Sequence, residues 1–304
     1  MGQSTFSGLA RMELRKAVIP AAGLGTRLLT ATKEMPKEML PIFSRGAGGS
    51  LVLKPMLQAI FEQLYEVGFR EFCFIVGRGK RAIEDHFNKD SGFLSMLRAR
   101  GKGHLASELE GFYEKIDDSI IVFINQPEPR GFGDAVLRAR PFTGDEPFLV
   151  HAGDDLVLSQ GASHIERLTD AFDALGPDAI LLVEEVGDPR PYGVVLAREV
   201  GNGVLEVLDV VEKPAVPPSN LAVVAIYVFS PSIYNAIERT EPDDDGEVQL
   251  TDAIRLLLAE RRLILAVRLK GTERRIDIGT PEGYWRALHE ASSWAALDME
   301  GREK

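Results

Sequence analysis

The sequence predicts an α/β fold of three layers, with a mixed, mostly parallel central sheet between helices and a small antiparallel addition. Three observations predict it. Short apolar runs alternate with helical patterns up to about Tyr192, a glycine-rich turn follows the first run directly, and beyond Tyr192 strands follow one another with few helices between. Strand-then-helix alternation buries its apolar surface best as a doubly wound sheet covered on both faces.

Lys16–Pro20 (KAVIP) reads as a short strand that runs into the glycine turn. Ser44–Ser50 has no period and reads as an insertion-like stretch. Met56, Leu57, Ile60, Phe61, Leu64 and Val67 then recur at helical spacing, and Gly68 closes the helix. Glu71–Gly77 reads as a strand and Lys80–Phe87 as a short helix. Further buried strands are expected at Ile120–Ile124, Pro147–Val150 and Ala179–Val183, with helices at Gly133–Arg140 and Ile165–Leu175. Val194–Ala197, Val204–Val211 and Leu221–Phe229 form the antiparallel or mixed addition. A helix (Gln249–Glu260), a strand (Leu263–Leu269) and a helix (Pro281–Ala291) close the chain. Pro214–Ser219 reads as a loop and Glu241–Gly246 as a solvated acidic turn. With no internal repeat or long linker, the organisation expected is a flexible leader (1–14), one domain (15–296) and a polar tail (297–304).

The 304 residues are 45% hydrophobic and 27% charged, which is ordinary for a globular chain and far from disorder. A net charge of −11 argues against a general nucleic-acid binder, which needs a basic face. It leaves room for a small anionic substrate held by a few local cations. The single cysteine, Cys73, lies in an apolar run and reads as a buried strand thiol. No apolar stretch approaches the roughly 18 residues of a membrane span. The first fifteen residues lack a signal-peptide core, and the Met1-Gly2 start lacks the Ser or Thr at position 6 that myristoylation wants, Phe6 standing there. A cytoplasmic protein with no membrane or nucleic-acid partner is expected.

Ala21-Ala22-Gly23-Leu24-Gly25-Thr26-Arg27 carries the sharpest chemical signal. Glycines there turn backbone N–H groups toward an anion, and a helix starting after them would add its positive end. Leu28 stands where a dinucleotide fingerprint needs glycine, and no Gly-Lys-Ser/Thr follows. The bland alternative is a tight turn that uses glycine only for packing. Arg27, Lys33 and Lys37 weigh against it, because three cations beside the turn suit a triphosphate, and Pro36 breaks a simple basic helix face. Asp154-Asp155 follows a strand at its carboxyl end, where open α/β sheets place ligands; taken alone, a turn or helix cap would be the better reading. Asp277 interrupts an apolar context where an unpaired carboxylate is costly, and its rival role is a cap on the helix starting near Pro281. Lys213 ends a strand in Glu212-Lys213, although exposed Glu-Lys pairs are commonly just solvated. His86 and His151 lack metal-ligand spacing and read as structural. No Ser or Cys nucleophile elbow is present.

Taken in order, AAGLGTRLLTATKEMPKEMLPI, QPEPRGFGDAV, AGDDL, PYGVV, VEKP, PSNLAVVAIYVFS, GEVQLTDAI and RIDIGT resemble the motifs of sugar-1-phosphate nucleotidyltransferases, in particular the bacterial-type UTP–glucose-1-phosphate uridylyltransferases. The resemblance runs through nearly the whole chain. It implies the Rossmann-like three-layer nucleotidyltransferase fold, UTP and glucose 1-phosphate as substrates, pyrophosphate as product, Mg²⁺ as cofactor and a homo-oligomer, dimer or tetramer. By the same resemblance Ala22, Gly23, Gly25, Thr26 and Arg27 hold the triphosphate, and Lys37 sits against the phosphates at the reaction centre. Gln126 and Gly131 read the pyrimidine edge, Gln126 with both a donor and an acceptor to offer. Asp154 and Asp277 hold Mg²⁺, while Gly193, Glu212, Lys213 and Asn220 grip the sugar phosphate.

Some positions depart from that pattern. Ser44–Ser50 lengthens a connection, Asp134 replaces a His, and RIDIGT is closer to the thymidylyltransferase branch. A dTTP-using glucose-1-phosphate thymidylyltransferase, or another NDP-sugar pyrophosphorylase, therefore stays open as an alternative. A sensing subunit without turnover is disfavoured, since Arg27, Lys37, Asp154, Lys213 and Asp277 are all present.

Overall fold

The structure, a computed structural model, describes residues 14–46, 48–201 and 203–300, without the side chains of 297–300. In chain order, β1 (Lys16–Pro20) is followed by β2 (Pro41–Arg45), β3 (Leu51–Pro55), α1 (Met56–Val67) and β4 (Glu71–Val76). Helices α2 (Arg81–His86), α3 (Ser91–Ala99) and α4 (Gly103–Asp117) lead to β5 (Ile120–Asn125). Next come α5 (Phe132–Arg138), α6 (Arg140–Thr143), β6 (Phe148–His151), β7 (Asp155–Leu158), α7 (Ser163–Leu175) and β8 (Ala179–Glu185). The chain continues through β9 (Gly193–Gly201), β10 (Val204–Glu212), β11 (Leu221–Phe229), α8 (Ser232–Arg239) and α9 (Leu250–Ala259). It closes with β12 (Ile264–Arg268), β13 (Arg274–Asp277) and α10 (Pro281–Glu300).

Nine strands form the central sheet in the order β5-β4-β1-β6-β11-β8-β12-β10-β9. β5, β4, β1 and β6 are mutually parallel, as are β8 and β12, whereas β11 and β10 run against their neighbours. This is the expected mixed, mostly parallel sheet. Its two-residue period sorts the side chains into two cores. Ala17, Ile19, Phe72 and Phe74 face α1, α7 and α10 on one side. Val18, Cys73, Ile75 and Phe148 face α5, α8 and α9 on the other. Both faces are therefore dry, which is why these strands read as unbroken apolar runs. Cys73 is fully buried, and burial pushes its thiol up to about 12, so it is inert as expected.

Four features differ from expectation. The insertion-like stretch is the tip of a β2–β3 hairpin, in register from Pro41↔Pro55 to Arg45↔Leu51. Leu51 and Leu53 are exposed there, so the hairpin lacks the buried alternation that betrays a strand. α3 and α4 were not anticipated, because α4 is mostly polar and glycine-punctuated and buries only Ala106, Phe112 and Tyr113. Leu14, placed in the leader, packs against the core, and α10 runs to Glu300, past the expected helix end and into the expected tail. Residues 1–13 and 301–304 of that leader and tail lie outside the described residues. Finally, β7 pairs with β13 in a separate two-stranded sheet, with Asp155 opposite Asp277. Among the described residues no helix is long and apolar enough to cross a membrane.

His164 on α7 is buried with Nδ1 2.7 Å from Ser159 Oγ, and burial pushes its pKa down to about 3. The unfolded chain takes up this proton below its ordinary value of 6.5 and the folded chain does not, so stability falls as pH falls through that window. Relative to His164→Asn, the native chain is expected to lose about 1.4 kcal/mol per pH unit between pH ~6 and ~4.5. Urea midpoints of the two proteins across that range check it; parallel curves would contradict it.

Candidate active site

The carboxyl ends of β1 and β6 open into a cleft of about 1290 Å³. That is where a doubly wound sheet leaves room for a ligand. The glycine loop leaves β1 with Ala21 N donating to Ile75 O at 2.8 Å, which ties its base to β4. Gly25 has φ 65°, and Thr32 Oγ1 donates to its carbonyl at 2.8 Å. Among the described residues, the N–H groups of Ala22, Gly23, Leu24, Gly25 and Thr26 donate to no protein acceptor. They form a row of donors suited to phosphate oxygens. The helix expected after the loop is only a 3₁₀ turn, Thr26–Leu28, so no macrodipole adds to them.

Lys37 opens a second 3₁₀ turn beneath the loop, where a Cβ on Gly23 would stand 3.5 Å from its Nζ. Its ammonium bonds Asp154 Oδ2 at 2.5 Å. Burial works against that charge, but the Asp154 carboxylate outweighs it and lifts the lysine above its ordinary pKa. Burial likewise disfavours the Asp154 carboxylate, and Lys37 more than compensates, holding it below the usual range. The pair is thus charged on both sides because each member holds the other. Next to it Glu38 is almost fully buried and pairs with Lys80 at 2.8 Å, fixing the turn that presents Lys37. Lys33 does not join this group; it is exposed beside Glu34 and lies off the cleft wall, so the third expected cation is absent from it. Arg27 does line the cleft, its guanidinium close against Gly279.

The two metal candidates, 123 positions apart in sequence, are neighbours: Ile278 N donates to Asp154 O at 3.4 Å, and Asp277 faces Asp155 across β13–β7. Asp155 is not free. Arg275 clamps it with Nε at 2.9 Å from Oδ1 and Nη2 at 2.6 Å from Oδ2, and stacks on Tyr192. Of the adjacent aspartates, therefore, one answers Lys37 and the other Arg275. Asp277 accepts from Gly279 N at 2.7 Å through Oδ1, while Oδ2 accepts from no described residue. Burial and the nearby Asp155 carboxylate push its pKa up. The helix cap that rivalled this role belongs to Thr280, whose Oγ1 accepts from Gly283 N at 3.0 Å.

At one end of the cleft stands Gln126, buried, with Gly131 beside it. Gly131 has φ 94°, and a Cβ there would come within 2.8 Å of the Val248 backbone, so only glycine lets the segment pass. Gln126 does not keep both of its groups free. Its Nε2 donates to Gly131 O at 3.1 Å and to Asp134 Oδ2 at 2.8 Å, which leaves the carbonyl oxygen alone for a ligand. At the other end Glu212 accepts from Thr251 Oγ1 at 3.0 Å and lies 3.2 Å from Lys213 Nζ. Gly193 is set behind this wall, where a Cβ would meet Thr251 at 2.9 Å and Glu212 at 3.2 Å. Asn220 is exposed and off the cleft wall, so the structure does not bring it to the others. Sequence reading missed Arg275, Tyr192, Glu38 and Arg286 on the cleft wall. Arg275 sits in a short, mostly charged strand (RRID) and Arg286 on a helix, so neither stood out in the sequence.

The chain belongs to the nucleotidyl transferase family, whose model matches residues 16–293. Curated relatives of the chain include UTP–glucose-1-phosphate uridylyltransferases. A UTP–glucose-1-phosphate uridylyltransferase of Pseudomonas aeruginosa is 36% identical over 280 residues, covering 91% of this chain and 95% of that protein. One of Bacillus subtilis is 40% identical over 286 residues, covering 92% and 90%. A crystal structure of UDP-glucose pyrophosphorylase complexed with UDP-glucose superposes with a TM-score of 0.79 at 33% identity, covering 92% of this chain and 99% of that one. The UTP-bound enzyme of Acinetobacter baumannii gives 0.80 at 29% identity, covering 94% and 99%.

Proposed function

We propose that this enzyme transfers UMP from UTP to glucose 1-phosphate, giving UDP-glucose and pyrophosphate. The observation that carries the reading is the meeting, in one cleft, of the free N–H row, the Lys37–Asp154 pair and Asp277, with Gln126 at one end and Glu212-Lys213 at the other. An oxygen of the sugar phosphate attacks the α-phosphorus of UTP. The bond from that phosphorus to the bridging oxygen breaks, and the electron pair leaves with pyrophosphate. The attacking oxygen is already ionised at neutral pH, so no general base is needed, in keeping with histidines that are buried or off the cleft wall. The work is alignment and charge neutralisation. The loop N–H groups and Arg27 hold the triphosphate, Lys37 offsets charge on the transferred group, and Lys213 steers the acceptor phosphate.

Mg²⁺ fits this wall. Asp277 Oδ2 accepts from no described residue, and its half-buried carboxyl beside Asp155 would gain from a cation. Asp154 and Asp277 would hold the ion, and no cluster of three or more metal-binding side chains occurs among the described residues, so substrate oxygens and water would complete the shell. When bound, Mg²⁺ acts as a Lewis acid on the phosphate oxygens. Pyrophosphate release is the test, measured over UTP, dTTP, CTP, ATP and GTP against several sugar 1-phosphates, with and without Mg²⁺. UTP with glucose 1-phosphate is expected to give the highest kcat/KM. Preference for dTTP would move the enzyme to the thymidylyltransferase alternative, and no release with any pair would overturn the reading.

A further inference from the structure

We propose that Asp134 is a specificity-determining positioning residue: it locks the Gln126 side-chain amide so that only a hydrogen-bond acceptor faces the nucleobase. The inference rests on the assignment of Gln126 to the base end of the cleft. Asp134 is itself buried and does not line the cleft but stands behind Gln126, which does. Its Oδ1 accepts from Arg138 Nη2 at 3.0 Å, and its Oδ2 accepts from Gln126 Nε2 at 2.8 Å and, at a longer 3.4 Å, from Arg138 Nε. A carboxylate paired in this way with a guanidinium can only accept from the glutamine amide. The second Gln126 N–H is taken by Gly131 O at 3.1 Å. Turning the amide over would set its oxygen against two acceptors at once, in a pocket too dry to forgive it. Gln126 Oε1, by contrast, accepts from no described residue, and Gln126 lines the cleft.

The backbone holds the device rigid. Val248 N donates to Arg130 O at 2.8 Å and Gly133 N donates to Val248 O at 2.9 Å, clamping the segment between Gln126 and Asp134. A fixed acceptor selects bases that carry N–H at the centre of their pairing edge. Uracil, thymine and guanine do; cytosine and adenine present a lone pair there and are repelled. The purine is then left to pocket size, and the uracil-against-thymine choice to whatever meets the methyl group.

Asp134→Asn tests this. Arg138 claims the remaining oxygen, the new NH₂ faces Gln126, and the glutamine turns its own NH₂ toward the base. The expected result is a UTP-to-CTP ratio of kcat/KM lowered roughly 10-fold or more, through KM for the nucleotide, with KM for glucose 1-phosphate unchanged. A merely structural role would slow both nucleotides alike and leave the ratio in place; that outcome overturns the proposal. Should the variant fail to fold, the wild type supplies the second measurement. In ¹⁵N spectra both Gln126 side-chain amide protons should exchange slowly with water before any nucleotide is added, and fast exchange would overturn the locking. If the wild type selects UTP and the variant keeps that selection, only Asp134 is misassigned. If the wild type releases no pyrophosphate from any nucleotide, the proposed function fails with it.

Discussion

Asp154→Ala is expected to lower kcat about 10²- to 10³-fold, or about 3–4 kcal/mol of transition-state stabilisation, while leaving the fold intact. Two losses combine. One is the carboxylate proposed to share Mg²⁺ with Asp277. The other is the hold on Lys37, whose partly buried ammonium is kept charged chiefly by Asp154. With Asp154 gone, burial is left as the leading influence on Lys37, and its pKa moves down. The wild-type lysine, raised above its ordinary value, stays charged across any practical assay range. In the variant, the remaining activity should therefore fall as pH rises through the lowered lysine pKa. Single-turnover rates between pH 6.5 and 9, with the melting temperature as a control on folding, decide it. Near-normal turnover with Mg²⁺ would remove Asp154 from the centre of the reaction.

What the sequence disclosed follows from how each feature is encoded. β1, β4, β6, β8 and β11 are buried on both faces, so local apolarity alone announces them. α1 shows its stripe because Met56, Leu57, Ile60, Phe61 and Leu64 all enter one core. β13, mostly charged, is invisible to the same test, and β7 is too short to stand out by it. They are four residues each, pair across more than a hundred positions, and owe their existence to that pairing. The site divides likewise. Lys37, Asp154, Gln126 and Asp277 stand in ordered motifs and are found by resemblance. The partners that decide their behaviour are found only in three dimensions. Asp154 and Asp155 are adjacent and identical in type, and nothing local says that Arg275 will neutralise the second and leave the first to Lys37. Nor does a glutamine's sequence position reveal which half of its amide Asp134 will occupy.

Lys37→Met is expected to produce a loss of the same order, about 10²- to 10³-fold in kcat, with a smaller effect on KM for either substrate. Methionine fills the lysine's apolar stem but carries no charge, so the phosphate proposed to receive the attack loses the cation assigned to it. The consequence for Asp154 is the mirror of the first variant. Burial opposes its charge and Lys37 is the largest force maintaining it, so removing the lysine raises the carboxylate's pKa. Residual activity should then climb with pH as Asp154 ionises, opposite in sign to the slope predicted for Asp154→Ala. The double variant Lys37→Met/Asp154→Ala should cost less than the two single losses added, because each single change strands a partly buried charge and the double change strands none. Equal slopes in the two single variants, or strict additivity in the double, would mean that the 2.5 Å contact joins two residues that act independently.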